Sequence, residues 1–496
     1  MKRAAAAITV LALSSSVLVS AADRPDLEPI APRGGTPGEL EALLDDDLGA
    51  GADGAIPAVL LEALVELPGE RPSVAELYER YGFLFVRGRD LPVGITERRI
   101  LGVRLRAYNC LLCHTGAEEG ALVVGATNRN LDFSGFLAHV LGTTRDLVTR
   151  EGAPRALERL VAAARRHRAR EGERLGPAEA AALVAYAELI ARAGPHVSSP
   201  AYGPGRTVVA GAYRVLRFHM TPGPYAPVKP PDLFGVTARS GLLWTGNERY
   251  AADVPAEEKI ARNGLLVPWV QLSPLTGRPA PDQAIVERLG RHRKMAALLV
   301  RAAPPPAPAP PADRRERHAK GRALYLESCS RCHGEYAQKE SGGRLATEVA
   351  SYRECLVPVA DAGTDPAYEA SQDMAFARRV ADTPIGALYA RIAPEGTYVA
   401  RPLLGLRLRF PYLHNGSVPS LRALLLAPDE RPRSFLAGAD APLDADAVGY
   451  GEGPANGPRV ERRDTTLPGN RATGHDFGTA LSPDEKRALI EYLRTL

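Results

Sequence analysis

The chain has 496 residues, 45 % hydrophobic and 24 % charged, with a formal charge of +4. That apolar content suits a globular protein of two or three domains. So small a charge, with basic residues spread among acids as on a solvated surface, excludes a nucleic-acid binder. The five cysteines are too few for a disulfide-stapled fold.

Residues 1–22 read as a signal peptide. Lys2 and Arg3 form a positive start, Ala4 to Val19 an apolar stretch, and Ser20-Ala21-Ala22 a small-residue cleavage site. The apolar stretch falls short of the roughly 20 residues that span a bilayer. Cleavage is therefore expected rather than an uncleaved anchor, giving a periplasmic or secreted protein without stable membrane insertion. Arg24 to Asp53, rich in Pro, Gly and acids, is expected to drape over the surface. A helical region is predicted from Ile56 through Tyr81, and Glu97 to Tyr108 leads into Cys110-Leu-Leu-Cys113-His114. Beyond Gly176-Pro177, Leu183, Val184, Ala187 and Ile190 mark one helical face. Pro195 to Val300 holds Trp244 and Trp269, and Ala302 to Ala312 is nearly all Pro and Ala, an extended linker. Gly321, Leu324 and Tyr325 then share a helical face ahead of Cys329-Ser-Arg-Cys332-His333. Ser482 to Glu485 is a capping box with Pro at the first helical position. Behind it Leu489, Ile490, Leu493 and Leu496 repeat the offsets of the stripe at 183–190.

The two Cys-x-x-Cys-His motifs use four of the five cysteines. In each, the thiols can add to the vinyl groups of a haem while the adjacent His reaches the iron. With so few Cys and His, one such match is expected by chance roughly once in a thousand chains of this length. A zinc site would need further ligands at short spacing, and a redox dithiol needs no following His. Two covalently bound haem c groups are therefore predicted, on Cys110, Cys113 and His114 and on Cys329, Cys332 and His333. Cys355 is left over and is read as a small buried apolar residue, with a reactive thiol as the alternative.

The predicted fold is mainly α, with two cytochrome c-like helical haem domains. The first spans 23–195 and the second 313–496; an irregular connecting segment at 196–312 ends in the Pro-rich linker. Each domain needs a helix before its motif and another that closes it. The sixth iron ligand then decides between electron transfer and small-molecule chemistry. Met220, Met295 and Met374 lack a haem-side loop. His414 and His475 are both candidates at the second haem. Near the first, His139 is read as a core or propionate-contacting residue and His167 as exposed, which leaves that iron open.

The run Tyr398 to Pro419, "YVARPLLGLRLRFPYLHNGSVP", is similar to the haem-proximal loop of the dihaem cytochrome c peroxidase superfamily. It most resembles the rubber-oxygenase-like branch of exported dihaem cytochromes. Further matches are "LPVGIT" ahead of "NCLLCHTG", "PPDLFG" followed by "WTGN", "AGTDP" at Ala362 to Pro366, and "GHDFG" before the last helix. The resemblance implies an electron-transferring C-terminal haem and a substrate-facing N-terminal one. Peroxidases of the family place a Met about fourteen residues after the loop His; here Pro428 stands there. That departure raises His475 as sixth ligand and makes His414 a neighbour of the haem edge. Their removable distal His is replaced by Asn130, which favours an open first haem. Trp244 matches an aromatic near the haems, as pocket wall or electron relay, although a packed core Trp accounts for it equally well. Calcium is not expected, because Arg409 replaces a coordinating residue.

Two functions follow. One is an oxidoreductase, with peroxide or dioxygen at the N-terminal haem, an apolar organic substrate in the oxygenase variant and a redox partner cytochrome. The other is a plain electron carrier.

Overall fold

The computed structural model describes residues 27–29, 35–46, 55–67, 72–193, 202–207, 213–221, 223–269 and 279–496. The signal-peptide expectation at 1–22 lies outside them, as does most of Arg24 to Asp53. Helix α1 (Ala58–Val65) is buried along its whole length, as befits a helix that is apolar all round. Around it pack α2 (Phe133–Glu151), α3 (Ala153–Arg170) and α4 (Pro177–Ala193). Their shared core joins Val59, Leu60, Phe136, Leu160, Leu183 and Ala187. Two acids of the α1 region, Glu62 and Glu66, are buried but not bare. Glu62 accepts from Arg168 Nε (2.7 Å) and Arg104 Nη2 (2.9 Å), and Glu66 faces Arg170. Buried charges persist only when paired in this way.

The segment before the first motif departs from expectation. In place of a helix, β1 (Ile95–Ile100) and β2 (Val103–Tyr108) form an antiparallel hairpin closed at Leu101-Gly102, both at positive φ. Val103-Arg-Leu-Arg-Ala-Tyr108 alternates buried and half-buried residues, the period of a strand. The motif is followed by a second hairpin, β3 (Thr115–Glu118) and β4 (Ala121–Val124).

The linker is extended as expected, but it is not free. Its strand β5 (Ala307–Pro308) lies along the sheet of β6 (Glu335–Ser341) and β7 (Arg344–Ser351). That hairpin turns on Gly342-Gly343, both at positive φ, the signature of a two-residue turn. Strand β8 (Cys355–Pro358) pairs with β9 (Thr397–Ala400). The chain is 41 % helix and 17 % strand in many small sheets, so the fold is mixed α and β and not mainly α. No described helix is long and apolar enough to cross a membrane.

The helical frame expected around the second motif is present. Helix α5 (Arg315–Ser328) runs into the motif, and α7 (Pro483–Leu493) opens on a capping box in which Ser482 accepts from Glu485 N. Between them the short helix α6 (Ser330–His333) carries the motif. The helices α5 and α7 cross at Gly321, where an added Cβ would meet Ala488 O at 1.9 Å. Only a residue without a Cβ allows that approach. A second large core surrounds this crossing. It includes Tyr325, Leu489 and Leu493 but also Leu111, Val123, Phe234 and Leu404, so the connecting segment and the first motif share it.

Candidate haem centres

Cys329 and His333 lie on one helical turn, with His333 N bonded to Cys329 O at 3.0 Å. Positions separated by three and four residues share a helix face, so thiols and imidazole can meet one porphyrin. His333 Nδ1 lies 2.8 Å from Arg401 O. A carbonyl only accepts, so Nδ1 carries the proton and Nε2 keeps its lone pair for a metal.

His475 comes from the loop 469–478, which other motifs pin in place. Its N–H donates to Ala362 O (2.8 Å), and Gly474 passes so close that an added Cβ would meet Ala362 O at 2.2 Å. Asp365 accepts from the N–H groups of Gly469 (2.8 Å) and Arg471 (3.1 Å). Asn415 donates to Gly469 O at 3.1 Å, and Arg431 donates to the carbonyls of Ala472, Gly474 and His475. The sequence runs "AGTDP", "HNGSVP" and "GHDFG" thus form one assembly that holds an imidazole. Burial and the nearby His333 pull the His475 pKa down to about 4, which keeps the ring neutral.

The His333 and His475 ring centroids lie 6.3 Å apart. Two metal–nitrogen bonds of about 2 Å each, plus two ring half-widths of about 1.1 Å, give about 6.2 Å for two imidazoles sharing one metal, close to the observed separation. Among the described residues no cluster of three or more His, Cys, Asp or Glu could hold a bare ion. A haem iron brings four nitrogens of its own and asks the protein for axial donors. The donor set therefore fits a bis-His haem c attached through Cys329 and Cys332.

The first motif is held differently. Asn109 caps its 3₁₀ turn by accepting from Leu111 N (3.0 Å), and its amide donates to the carbonyls of Leu43 (3.0 Å) and Asp46 (2.8 Å). His114 N bonds Cys110 O at 3.0 Å, as in the second motif. His114 Nδ1 is buried without a well-aligned hydrogen bond, and burial pulls its pKa to about 4. The two motifs differ across the ring. Among the described residues, His333 and His475 form the one imidazole–imidazole contact. His139 packs on Tyr81 (5.8 Å). His167 is not exposed as expected: it sits 3.5 Å from Glu66 with 12 % of its side chain accessible, because α3 turns that edge toward the buried acids of α1.

His414 stacks on Tyr398 at 4.3 Å, with Nε2 3.2 Å from the tyrosine oxygen. The single Tyr398 hydroxyl proton is directed at Asp365 O (2.8 Å). His414 Nε2 must then be the donor to Tyr398, which removes that nitrogen from competition for iron. Cys355 is half-buried on β8, 3.5 Å from Cys332 Sγ.

Trp244 lies at a junction. Its Nε1 donates to Lys229 O (2.7 Å), and Arg401 stacks over the ring at 4.7 Å. Beside it Leu243 opens on an apolar cavity of about 60 Å³, walled by Trp269, Tyr368, Phe376 and Tyr389. Glu248 lines that cavity and was missed in the sequence. Its Oε1 accepts from the N–H groups of Leu242 (2.7 Å) and Leu243 (2.6 Å), while Oε2 has no partner. Burial pushes its pKa up to about 7. The available signal was an acid placed among "GLLWTGNE", a stretch otherwise without charge.

Residues 397–436 match a family of RoxA-like, cytochrome c-like domains. This segment includes Arg401, whose carbonyl bonds His333, and Asn415 and Arg431, which hold the His475 loop. It supports a haem cytochrome with a role in electron transfer and implies covalently bound haem c. Two curated proteins of Sinorhizobium fredii are also similar. One, called uncharacterized protein y4iJ, is 32 % identical over 234 residues, 36 % of this chain and 38 % of its own length. The other, uncharacterized protein y4iM, is 37 % identical over 118 residues, 20 % of this chain and 27 % of its own. The chain thus matches well under half the length of either relative.

Proposed function

We propose that the protein is an exported dihaem c-type cytochrome acting as an oxidoreductase. In this reading His333 and His475 would hold a haem that supplies electron transfer, and His114 would hold a haem that supplies chemistry on peroxide or dioxygen. The observation that carries it is the asymmetry between the motifs: His333 faces a second imidazole at 6.3 Å, and His114 does not. Two strong axial donors suit electron transfer, and an open position suits ligand chemistry. Haem iron supplies the redox chemistry. The chain fixes the His333 tautomer through the Arg401 carbonyl and favours a proton on Glu248 up to about neutral pH. Electrons would come from a partner cytochrome.

Optical and EPR spectra of the ferric protein test this. One high-spin and one low-spin haem are expected, and His475→Ala should convert the low-spin signal to high-spin. Two low-spin haems would instead make the protein a plain electron carrier. A low-spin signal that survives in His475→Ala would remove the ligand assignment.

A further inference from the structure

Three arginines, Arg239, Arg401 and Arg409, are at most 9 % exposed and gather around Asp232, itself 3 % exposed. Arg401 and Arg409 pair with Asp232 at 3.2 and 3.0 Å. Arg239 reaches only carbonyls, those of Asp232 and Leu242. Glu248 is the other acid whose field reaches Arg239, and it makes no ion pair with it. Lys229 adds a fourth buried cation, bonded to the carbonyls of Arg409 and Pro411. Several donors are left over: Nε of Arg239, Nε and Nη1 of Arg401, and Nε of Arg409 are buried without a partner. A core that spends one carboxylate on three guanidinium groups is short of negative charge, and buried guanidinium donors are costly to leave unmade.

The cluster lies between the two haem motifs. The Arg401 carbonyl holds His333 at 2.8 Å. On the other side, Leu233 N donates to Gly125 O (2.8 Å) and Gly125 N to His114 O (2.7 Å), which stitches the Asp232 segment onto the first motif. Asp232 and Arg401 are also the two charged groups felt by His114. We infer that Arg239, Arg401 and Arg409 form a carboxylate seat between the motifs, filled by haem propionates. A planar fork of N–H donors matches a carboxylate, and propionates are the carboxylates that a covalently attached haem brings with it. The inference rests on the dihaem reading. Its consequence is electrostatic: positive charge held against a propionate favours the reduced iron, so removing an arginine lowers the reduction potential.

The test is a potentiometric titration of the haem-loaded protein, with haems per chain counted by mass. Arg401→Gln and Arg239→Gln should each keep the wild-type haem count and shift at least one haem's reduction equilibrium about tenfold toward the oxidised form, about 59 mV for one electron. Arg401→Lys, which keeps a charge, should shift less. If Arg401→Gln does not fold, Arg239→Gln carries the test alone. Potentials unchanged within twofold in the variants that load haem would overturn the inference. So would a wild-type potential that moves with added chloride, phosphate or acetate, because the seat would then hold an exchangeable anion. A wild-type chain carrying a single haem defeats the dihaem reading separately, and the variants still report on the haem that remains.

Discussion

Glu248 shows how one side chain ties stability to pH. Its folded pKa of about 7 stands above the ordinary carboxylate value of 4.5. The protonated form suits the fold, so its contribution is fully present below about pH 4.5 and is lost as pH rises through about 7. Glu248→Gln removes that loss. The variant should match wild type in denaturant midpoint near pH 4 and exceed it by up to about 3 kcal/mol at pH 8. If Glu248 also moves a proton in turnover, the same variant abolishes the limb of the rate profile near pH 7. The Cys-x-x-Cys-His motifs could be read from sequence, but local sequence left His414 and His475 as equal candidates. The structure separates them by setting His475 6.3 Å from His333 and His414 against Tyr398. Glu248 and the arginine seat could not be read from sequence. The arginines looked like ordinary surface charge, yet among the described residues eight of them, including Arg206, Arg431 and Arg463, are buried. Arg401 and Arg409 of the seat pair with Asp232, which is distant in sequence, and no spacing rule reports that.

At the scale of elements, the second haem unit was legible where packing is helical. The capping box of α7 and the Gly321 face of α5 both form, and they meet where an added Cβ would lie 1.9 Å from Ala488 O. Gly321→Ala must push these helices apart and should cost about 1–3 kcal/mol, read as a lower thermal midpoint of the haem-loaded protein. Gly290, which has open space around it on its helix, is the control, and its change to Ala should be neutral or slightly stabilising. The strands were missed for a physical reason. Arg98, Arg104 and Arg106 interrupt the apolar pattern of the first hairpin, and Glu335–Ser341 is polar on both faces. Alternation is faint when the buried side of a strand is small, and two-residue turns such as Leu101-Gly102 and Gly342-Gly343 are then the clearer sign.

For the whole molecule, two haem domains joined by an extended Pro-rich linker were expected. The structure lays the linker down as a strand, and Cys110 and Cys329 both pack against the same core. A chain cut at residue 312 should therefore fail to yield two independently folded halves. The expected result is that neither half shows a cooperative unfolding transition or the absorption spectrum of the haem-loaded full chain. Export is tested on the same scale. A chain beginning at Asp23 should stay in the cytoplasm without covalent haem, whereas the full chain should be recovered outside it with haem attached, as judged by fractionation and haem staining.

That common core also sets an order of events during synthesis. Cys110 leaves the ribosome well before α7, which closes the core against which it packs. At about 5–20 residues per second the delay is on the order of tens of seconds. Over that interval Cys110 lacks the core it packs against, whereas Cys113 already has the N-terminal core around α1. One thiol of the half made first thus waits for the last helix to be made, and until then it depends on whatever keeps nascent thiols reduced.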